Sequence, residues 1–200
     1  MRTARYAPGP RPRRGTPDDT RARLVAAAAD VFNRDGYHGT DSNRIARAAG
    51  YAPGTFYKHF TDKRAAFVAV YERWVAAEWA TIDVDIRRGD RRDLAPRVVA
   101  DVLQHHRRWR GVRASMLALV RTDAAVRGVY RRQRRRQLAL LRALRARHGF
   151  RPRTAAEDAM LLYTLERTCD ALADGEVIAL GLHREAVIHL LRALVAEHFG

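Results

Sequence analysis

Apolar positions along this chain recur at the three- and four-residue spacing of α-helices, and no segment shows the strict alternation of a β-strand. The first such segment has an apolar face formed by Leu24, Ala28, Val31 and Phe32. Thr16 can cap this helix, Pro17 suits its first position, and Gly36 can end it. The pattern therefore predicts an all-α protein.

Two short helices are predicted next, joined by a turn that contains glycine. The first of them extends from its N-cap Asp41 to Ala49, and Pro53 can open the second, which has about two turns. Phe56 and Phe60, four residues apart, can anchor this short helix to a core and leave its polar and cationic side chains outside. Such a pair is typical of a helix-turn-helix with its recognition helix.

The remaining pattern stays helical, with Asp62 as the predicted cap of a long fourth helix. Further helices are predicted over 93–109, 112–121, 123–148, 153–174 and 183–199. We therefore expect about nine helices, and we divide the chain into three parts. These parts are a flexible basic arm over 1–15, a helix-turn-helix domain over 16–62, and a helical body over 63–200.

The charge of the chain is concentrated in two patches. The formal net charge of +16 divides into +7 over residues 1–65 and +9 over residues 127–147, where nine arginines occur without one acidic residue. Elsewhere 16 basic residues balance 16 acidic ones. An excess of this size is typical of proteins that bind polyanions, which are nucleic acids or, less often, anionic membrane surfaces.

Other composition signals are weak. The single cysteine, Cys169, favours a reducing compartment, and no apolar run reaches the roughly 18 residues of a spanning helix, so we expect a cytoplasmic protein without a membrane partner. His105 and His106 point about 100 degrees apart on a helix and are interpreted as ordinary helix residues. No nucleophile signature, phosphate loop or metal-ligand spacing occurs, so we expect neither an enzyme nor a cofactor or metal.

The stretch GTDSNRIARAAGYAPGTFYKHFTDKRAAF carries a specific motif. Its elements are Gly39-Thr40, Ile45-Ala46, Ala49-Gly50, Gly54-Thr55, Phe56-Tyr57, Phe60 and Lys63. In this order and spacing the chain resembles the tetracycline-repressor (TetR) family of one-component bacterial regulators over about residues 16–68. One departure is Ala52, which stands where a serine or threonine usually caps the recognition helix.

The resemblance implies a set of DNA contacts on three helices. They are Thr40, Arg44, Gly54, Thr55, Tyr57, Lys58, His59 and Lys63. Lys58, Lys63 and the hydroxyl of Tyr57 suit phosphates, and we expect them to act from outside the core. Thr55 and His59 can reach base edges or thymine methyl groups. Gly54 permits a close approach to DNA because it has no side chain.

The last two predicted helices are apolar on more than one face, which requires two surfaces to pack against. One interpretation is a deep core. The resemblance implies instead a four-helix interface between two subunits, which we favour because two half-sites require a two-fold partner. The predicted interface residues are Leu161, Leu165, Leu172, Val187, Leu191 and Leu194.

The second basic patch lies in the predicted helix over 123–148, whose inward stripe passes through Arg134 and Gln137. Because this helix usually lines the ligand pocket in the family, one hypothesis is that Tyr130, Gln133, Arg134 and Gln137 hold the polar end of a ligand. A second alternative is that these turns are solvated, which we favour because arginine runs usually lie on solvated faces. The third alternative is that this patch makes a non-specific contact with phosphates.

Together these signals predict a ligand-responsive transcriptional repressor that binds a pseudo-palindromic operator in duplex DNA as a homodimer. Its small-molecule ligand is unknown. The alternatives are a basic structural protein that binds nucleic acid without regard to sequence, and a helical enzyme.

Overall fold

A computed structural model describes residues 16–88 and 91–200, and the predicted basic arm over 1–15 lies outside these ranges. The regular structure of the described residues is helical throughout, which confirms the all-α prediction. The helices are α1 (Pro17–Asp35), α2 (Ser42–Ala48), α3 (Pro53–His59), α4 (Lys63–Arg88), α5 (Arg91–Arg108), α6 (Arg110–Thr122), α7 (Ala124–His148), α8 (Ala155–Asp174), α9 (Glu176–Ala179) and α10 (Arg184–Phe199). The short α9 was not predicted, since its single turn follows Gly175, whose φ of +78° ends α8.

Several helix ends are fixed by the capping residues that the sequence predicts. Thr16 accepts a hydrogen bond from the Asp19 amide and forms a capping box, and Asp41 accepts one from the Arg44 amide at 2.8 Å. The Asp62 carboxylate accepts one from the Ala65 amide at 2.7 Å at the start of α4. Ala52 makes no such bond, so α3 begins without a side-chain cap. The stability of α3 must therefore come from packing.

The chain forms two compact units, and their boundary differs from the expected one at residue 62. The first unit contains the described residues up to Trp74 together with Gly111–Val129, and the second contains Val75–Arg110 and Tyr130–Gly200. Much of α6 thus packs with the helix-turn-helix. The cause is a close approach: the Asn33 side chain accepts a hydrogen bond from the Gly111 amide at 2.9 Å, and a Cβ at residue 111 would lie 1.9 Å from the Asn33 carbonyl oxygen.

The core of the first unit is built from the apolar faces that the sequence predicts. Its fully buried residues include Leu24, Ala28, Val31, Phe32, Ile45, Ala46, Phe56 and Phe67. The rings of Phe32 and Phe67 meet edge to face at 5.1 Å, which joins α1 to α4. Phe56 and Phe60 are both buried, so the predicted anchoring of α3 is confirmed.

In the second unit, α5 packs against α8 and α10, and charged groups are buried between the helices. Arg145 on α7 donates a hydrogen bond to Asp158 on α8 at 2.8 Å and another to the His198 carbonyl on α10, also at 2.8 Å. The His198 ring lies 3.0 Å from the same Asp158 oxygen, and burial lowers the pKa of this histidine. This cluster joins the ends of three helices.

His106 is not the ordinary helix residue that the sequence predicts. It is 1% exposed, its Nδ1 lies 2.8 Å from Asp170 Oδ1, and its Nε2 lies 3.4 Å from Glu78 Oε1. The ring therefore links α4, α5 and α8 between two carboxylates. The periodicity placed His106 on a helix but could not show which residues on other helices face it.

The buried Arg145 and Asp158 pair yields a stability prediction. Asp158→Ala should lower the free energy of unfolding by about 3–5 kcal/mol, because it leaves the guanidinium of Arg145 buried without its counter-charge. The double variant Arg145→Met with Asp158→Leu should recover most of that loss, since apolar replacement of a buried pair is often neutral. Urea unfolding monitored by circular dichroism measures both. If the single and double variants lose the same free energy of unfolding, Arg145 and Asp158 do not form a buried ion pair.

Candidate DNA-binding interface

The α3 helix presents the predicted recognition side chains on its outer face. Tyr57 is 58% exposed, Lys58 and Gly54 are exposed, and Thr55 and His59 are half-buried. These five predicted residues share one short helix, whose opposite side carries Phe56. The arrangement provides a hydroxyl, an ammonium and an imidazole on one accessible surface.

Gly54 differs from the other glycines of the motif in what surrounds it. A Cβ added at Gly39 would lie 2.2 Å from the Asp35 carbonyl oxygen, so packing inside the chain requires glycine there. A Cβ added at Gly54 would meet no atom within 4 Å, and the φ angle of Gly54 is not positive. Nothing in the described residues requires a glycine at this helical position, although glycine costs a helix about 1 kcal/mol relative to alanine.

Lys63, at the start of α4, is tied to the connection between α1 and α2. Its ammonium donates hydrogen bonds to the carbonyl oxygens of Tyr37 and Thr40, each at 2.9 Å, and lies 4.3 Å from the centre of the Tyr37 ring. Burial lowers the pKa of Lys63. Two of the three N–H donors are therefore engaged inside the chain, in contrast to the expectation that Lys63 acts from outside the core.

The two predicted contacts at α2, Arg44 and Thr40, are both partly withdrawn from solvent. The guanidinium of Arg44 donates to the Gly39 carbonyl oxygen at 3.1 Å and lies 3.1 Å from the Asp35 carboxylate. Thr40 is 7% exposed and its hydroxyl oxygen is buried, without a hydrogen-bond partner in the part of the chain that is described. In this conformation the Thr40 hydroxyl does not face solvent, and a DNA contact by this side chain stays a prediction.

The predicted ligand residues on α7 meet an acidic side chain that the sequence analysis did not identify. Arg134 donates hydrogen bonds to both carboxylate oxygens of Glu166, at 2.6 and 2.8 Å, and one to the Tyr130 hydroxyl at 2.6 Å. Burial by itself would lower the pKa of Arg134, but the hydrogen bonds and negative charge of Glu166 raise it on balance. The guanidinium also lies about 5 Å from the ring centres of Tyr130 and Tyr163.

This geometry overturns the solvated-face alternative for part of the patch. Arg134 and Gln137 are buried, while Gln133 and Tyr130 are half-buried. The physical reason is that Glu166 supplies the counter-charge that a buried arginine needs. A ligand role for these four residues stays a prediction. The available signal was Glu166, which follows the mostly apolar segment MLLYTL and can pair with an arginine on an inward stripe.

Four of the predicted dimer residues lie in the core of a single chain. These residues are Leu161, Leu165, Leu172 and Leu191, each at most 6% exposed. Val187 is half-buried and Leu194 is 37% exposed. Met160 and Tyr163 on α8 and Leu190 on α10 are exposed as well, although none of them was among the predicted interface residues. The helical period predicted two apolar faces, but it could not show which of the two is buried within the single chain.

Between residues 16 and 88 and between 91 and 200, no group of three or more histidine, cysteine or acidic side chains is arranged to hold a metal ion. No helix in these same ranges is both long and apolar enough to cross a membrane.

Known proteins that are similar to this chain are transcriptional regulators. Residues 24–70 match the family model for bacterial regulatory proteins of the tetR family. The HTH-type transcriptional regulator UidR of Escherichia coli K12 is 35% identical over 51 residues, which are 26% of each chain. The HTH-type transcriptional activator FasR of Mycolicibacterium smegmatis is 38% identical over 58 residues, which are 29% of this chain and 26% of FasR.

A solved structure of a TetR-family transcriptional regulator from Rhodococcus sp. has the same fold over a longer range. It superposes with a TM-score of 0.71 at 16% identity and covers 92% of this chain and 100% of its own. The chain spans about a quarter of the length of these two curated relatives. Over residues 24–70 the chain is therefore similar to bacterial regulatory proteins of the tetR family.

The chain's two lysines form a matched pair for a prediction. Lys63→Ala should lower the free energy of unfolding by about 1–3 kcal/mol, because it removes two hydrogen bonds from a charged donor at a partly buried site. Lys58→Ala should change it by less than about 0.5 kcal/mol, because Lys58 is exposed. Chemical denaturation of both variants measures the difference, and similar values for the two would show that Lys63 does not fix the turn.

Proposed function

We propose that this protein is a homodimeric, ligand-responsive transcriptional repressor that reads a pseudo-palindromic operator with α3. In this proposal Tyr57 and Lys58 contact phosphates, Thr55 and His59 approach base edges, and Lys63 places its third N–H on a phosphate while holding the turn before α2. The regulator would act in the cytoplasm, where the operator is accessible.

The observation that carries the proposal is the open space beside Gly54. A glycine that no contact in the described chain requires, on the exposed face of a helix that it weakens, is explained by a surface that approaches from outside. The polar side chains around it suit phosphates and bases. Duplex DNA brings both within reach of one helix seated in a major groove.

A dimer follows from the need to read two half-sites about 34 Å apart. The exposed apolar side chains of α8 and α10 form a suitable surface, because Met160 and Leu194 line the same groove between these helices. Leu190, 68% exposed, continues the apolar surface along α10. Packing this surface against a second copy would form a four-helix interface with residues that one subunit leaves uncovered.

Ligand response would require one element with two arrangements. The α4 helix is continuous from Lys63 to Arg88, so it connects the residue that fixes the turn before α2 with Glu78 of the second unit. A ligand bound in the second unit would favour a dimer whose recognition helices no longer match the half-site spacing. The size of the release then equals the ligand's differential affinity for the two states.

The operator prediction starts from sequences selected by the purified protein out of a random duplex pool. Gly54→Ala should weaken binding to the selected operator at least about tenfold, because the added methyl group occupies the space kept for DNA. The same change should leave thermal stability unchanged or raise it by about 0.5–1 kcal/mol, since alanine favours the helix. Fluorescence anisotropy and thermal unfolding give the two values.

A tyrosine pair provides the control for this interface. Tyr57→Phe removes only a hydroxyl from the exposed face and should weaken operator binding, while Tyr51→Phe, in the half-buried turn before α3, should not. If both Gly54→Ala and Tyr57→Phe bind the operator as the wild type does, α3 is not the recognition helix. Selection of no preferred sequence would instead favour a structural nucleic-acid-binding protein.

The dimer prediction uses side chains that a single subunit leaves exposed. Leu190→Glu and Met160→Glu should each shift the protein from dimer to monomer at micromolar concentration, because the new charge would be buried at the interface at a cost of several kcal/mol. Sedimentation velocity measures the assembly state. Leu117→Glu is the matched control, since Leu117 is exposed on α6 of the first unit and should leave the dimer intact. A monomeric wild-type protein at this concentration would contradict the interface.

A further inference from the structure

The nine arginines of the second basic patch separate into two groups. Arg134 and Arg145 are buried in ion pairs, Arg127 donates to backbone carbonyl oxygens, and Arg147 lies 3.6 Å from Asp83. The other five form what we call the α7 basic face: Arg131, Arg132, Arg135, Arg136 and Arg142. All five are exposed, and no carboxylate in residues 16–88 or 91–200 lies within 4.0 Å of them.

This concentration of charge weakens the helix that carries it. Arg131 and Arg135, and likewise Arg132 and Arg136, are like charges four residues apart, a spacing at which they repel. The stretch from Arg127 to Arg147 contains no acidic residue that could offset the repulsion locally. Because the rest of the body has acidic and basic residues in balance, a general preference for arginine does not explain the patch. A binding partner outside the chain would explain it.

The spacing of the α7 basic face suits a linear polyanion. At 100 degrees per residue, Arg131, Arg135 and Arg142 fall within about 40 degrees of one line along the helix. From Arg131 to Arg142 the helix rises about 16 Å, over which a DNA duplex presents roughly ten phosphates. Guanidinium groups bind phosphates through paired N–H donors, so each arginine can hold one phosphate without reading a base.

The composition of the face distinguishes among polyanionic partners. Leu140 is the one large apolar side chain exposed on α7. A helix that binds an anionic membrane surface needs an apolar face to insert, and a protein interface has an apolar or aromatic centre. The α7 basic face provides neither. A nucleic-acid backbone needs only positive charge in reach of phosphates.

We propose that the α7 basic face binds the phosphate backbone of duplex DNA without regard to sequence, as a DNA surface additional to α3. The surface belongs to the second unit and so goes beyond operator recognition by the helix-turn-helix. It gives the regulator affinity for DNA outside its operator, and it makes that affinity strongly dependent on salt.

The test is a variant with Arg131, Arg132, Arg135 and Arg136 all changed to Gln in the full-length chain. Its affinity for a random-sequence duplex of about 30 base pairs is measured by fluorescence anisotropy from about 50 to 200 mM KCl. The slope of log affinity against log salt should fall by about 0.9 for each phosphate that the variant no longer binds, which is about three to four units for four arginines. At the lowest salt concentration the affinity should fall at least about tenfold.

Two matched variants control for charge and for folding. Arg73, Arg107, Arg121 and Arg151 are exposed outside the α7 basic face, and changing these four to Gln removes the same net charge. This control should reduce the salt slope much less. Changing the four α7 arginines to Lys keeps the charge and should retain most of the slope. Thermal unfolding of the glutamine variant on α7 should occur at the same or a higher temperature, because repulsion within the helix is relieved.

An unchanged slope in the α7 glutamine variant, or an equal reduction in the scattered control, would overturn the proposal. So would wild-type binding to vesicles of anionic lipid that depends on the α7 arginines when binding to the duplex does not. The ratio of operator to random-duplex affinity reports on α3 separately. A protein without sequence preference whose salt slope still depends on the α7 arginines would contradict the proposed function and leave this proposal standing.

Discussion

The burial of Phe56 and Phe60 is the interaction on which the candidate interface depends. A helix of seven residues without a side-chain cap does not persist alone in water, so α3 exists because these two rings are held in the core of the first unit. With that side of the helix fixed, Tyr57 and Lys58 must face outward. The same packing that stabilises α3 therefore determines which of its side chains are exposed.

Lys63 links this core to the helices before and after it. Its bonds to two carbonyl oxygens hold the turn that leads into α2, and the Asn33 side chain fixes the start of α6 to the end of α1. The helix-turn-helix is thus one part of a larger unit.

Charge in the second unit is used in two different ways. Where arginines face the core, each is matched by an acid on α8: Arg134 by Glu166, and Arg145 by Asp158. Such pairs add little net stability, but removing one member leaves a buried charge, so they specify which helix faces meet. Within residues 16–88 and 91–200, the arginines of the α7 basic face have no such acids and are exposed.

The sequence by itself determined the helices other than α9, the caps Thr16, Asp41 and Asp62, and the helix-turn-helix motif, because periodicity and capping act locally. It determined that α3 is anchored by Phe56 and Phe60, since their spacing is a property of one helix. Only the tertiary structure decided that Lys63 is engaged while Lys58 is exposed, that Glu166 neutralises Arg134, and that Leu161 and Leu191 pack inside one subunit. Each of these depends on which residues distant in the chain face each other, and helical period gives a face but not its partner.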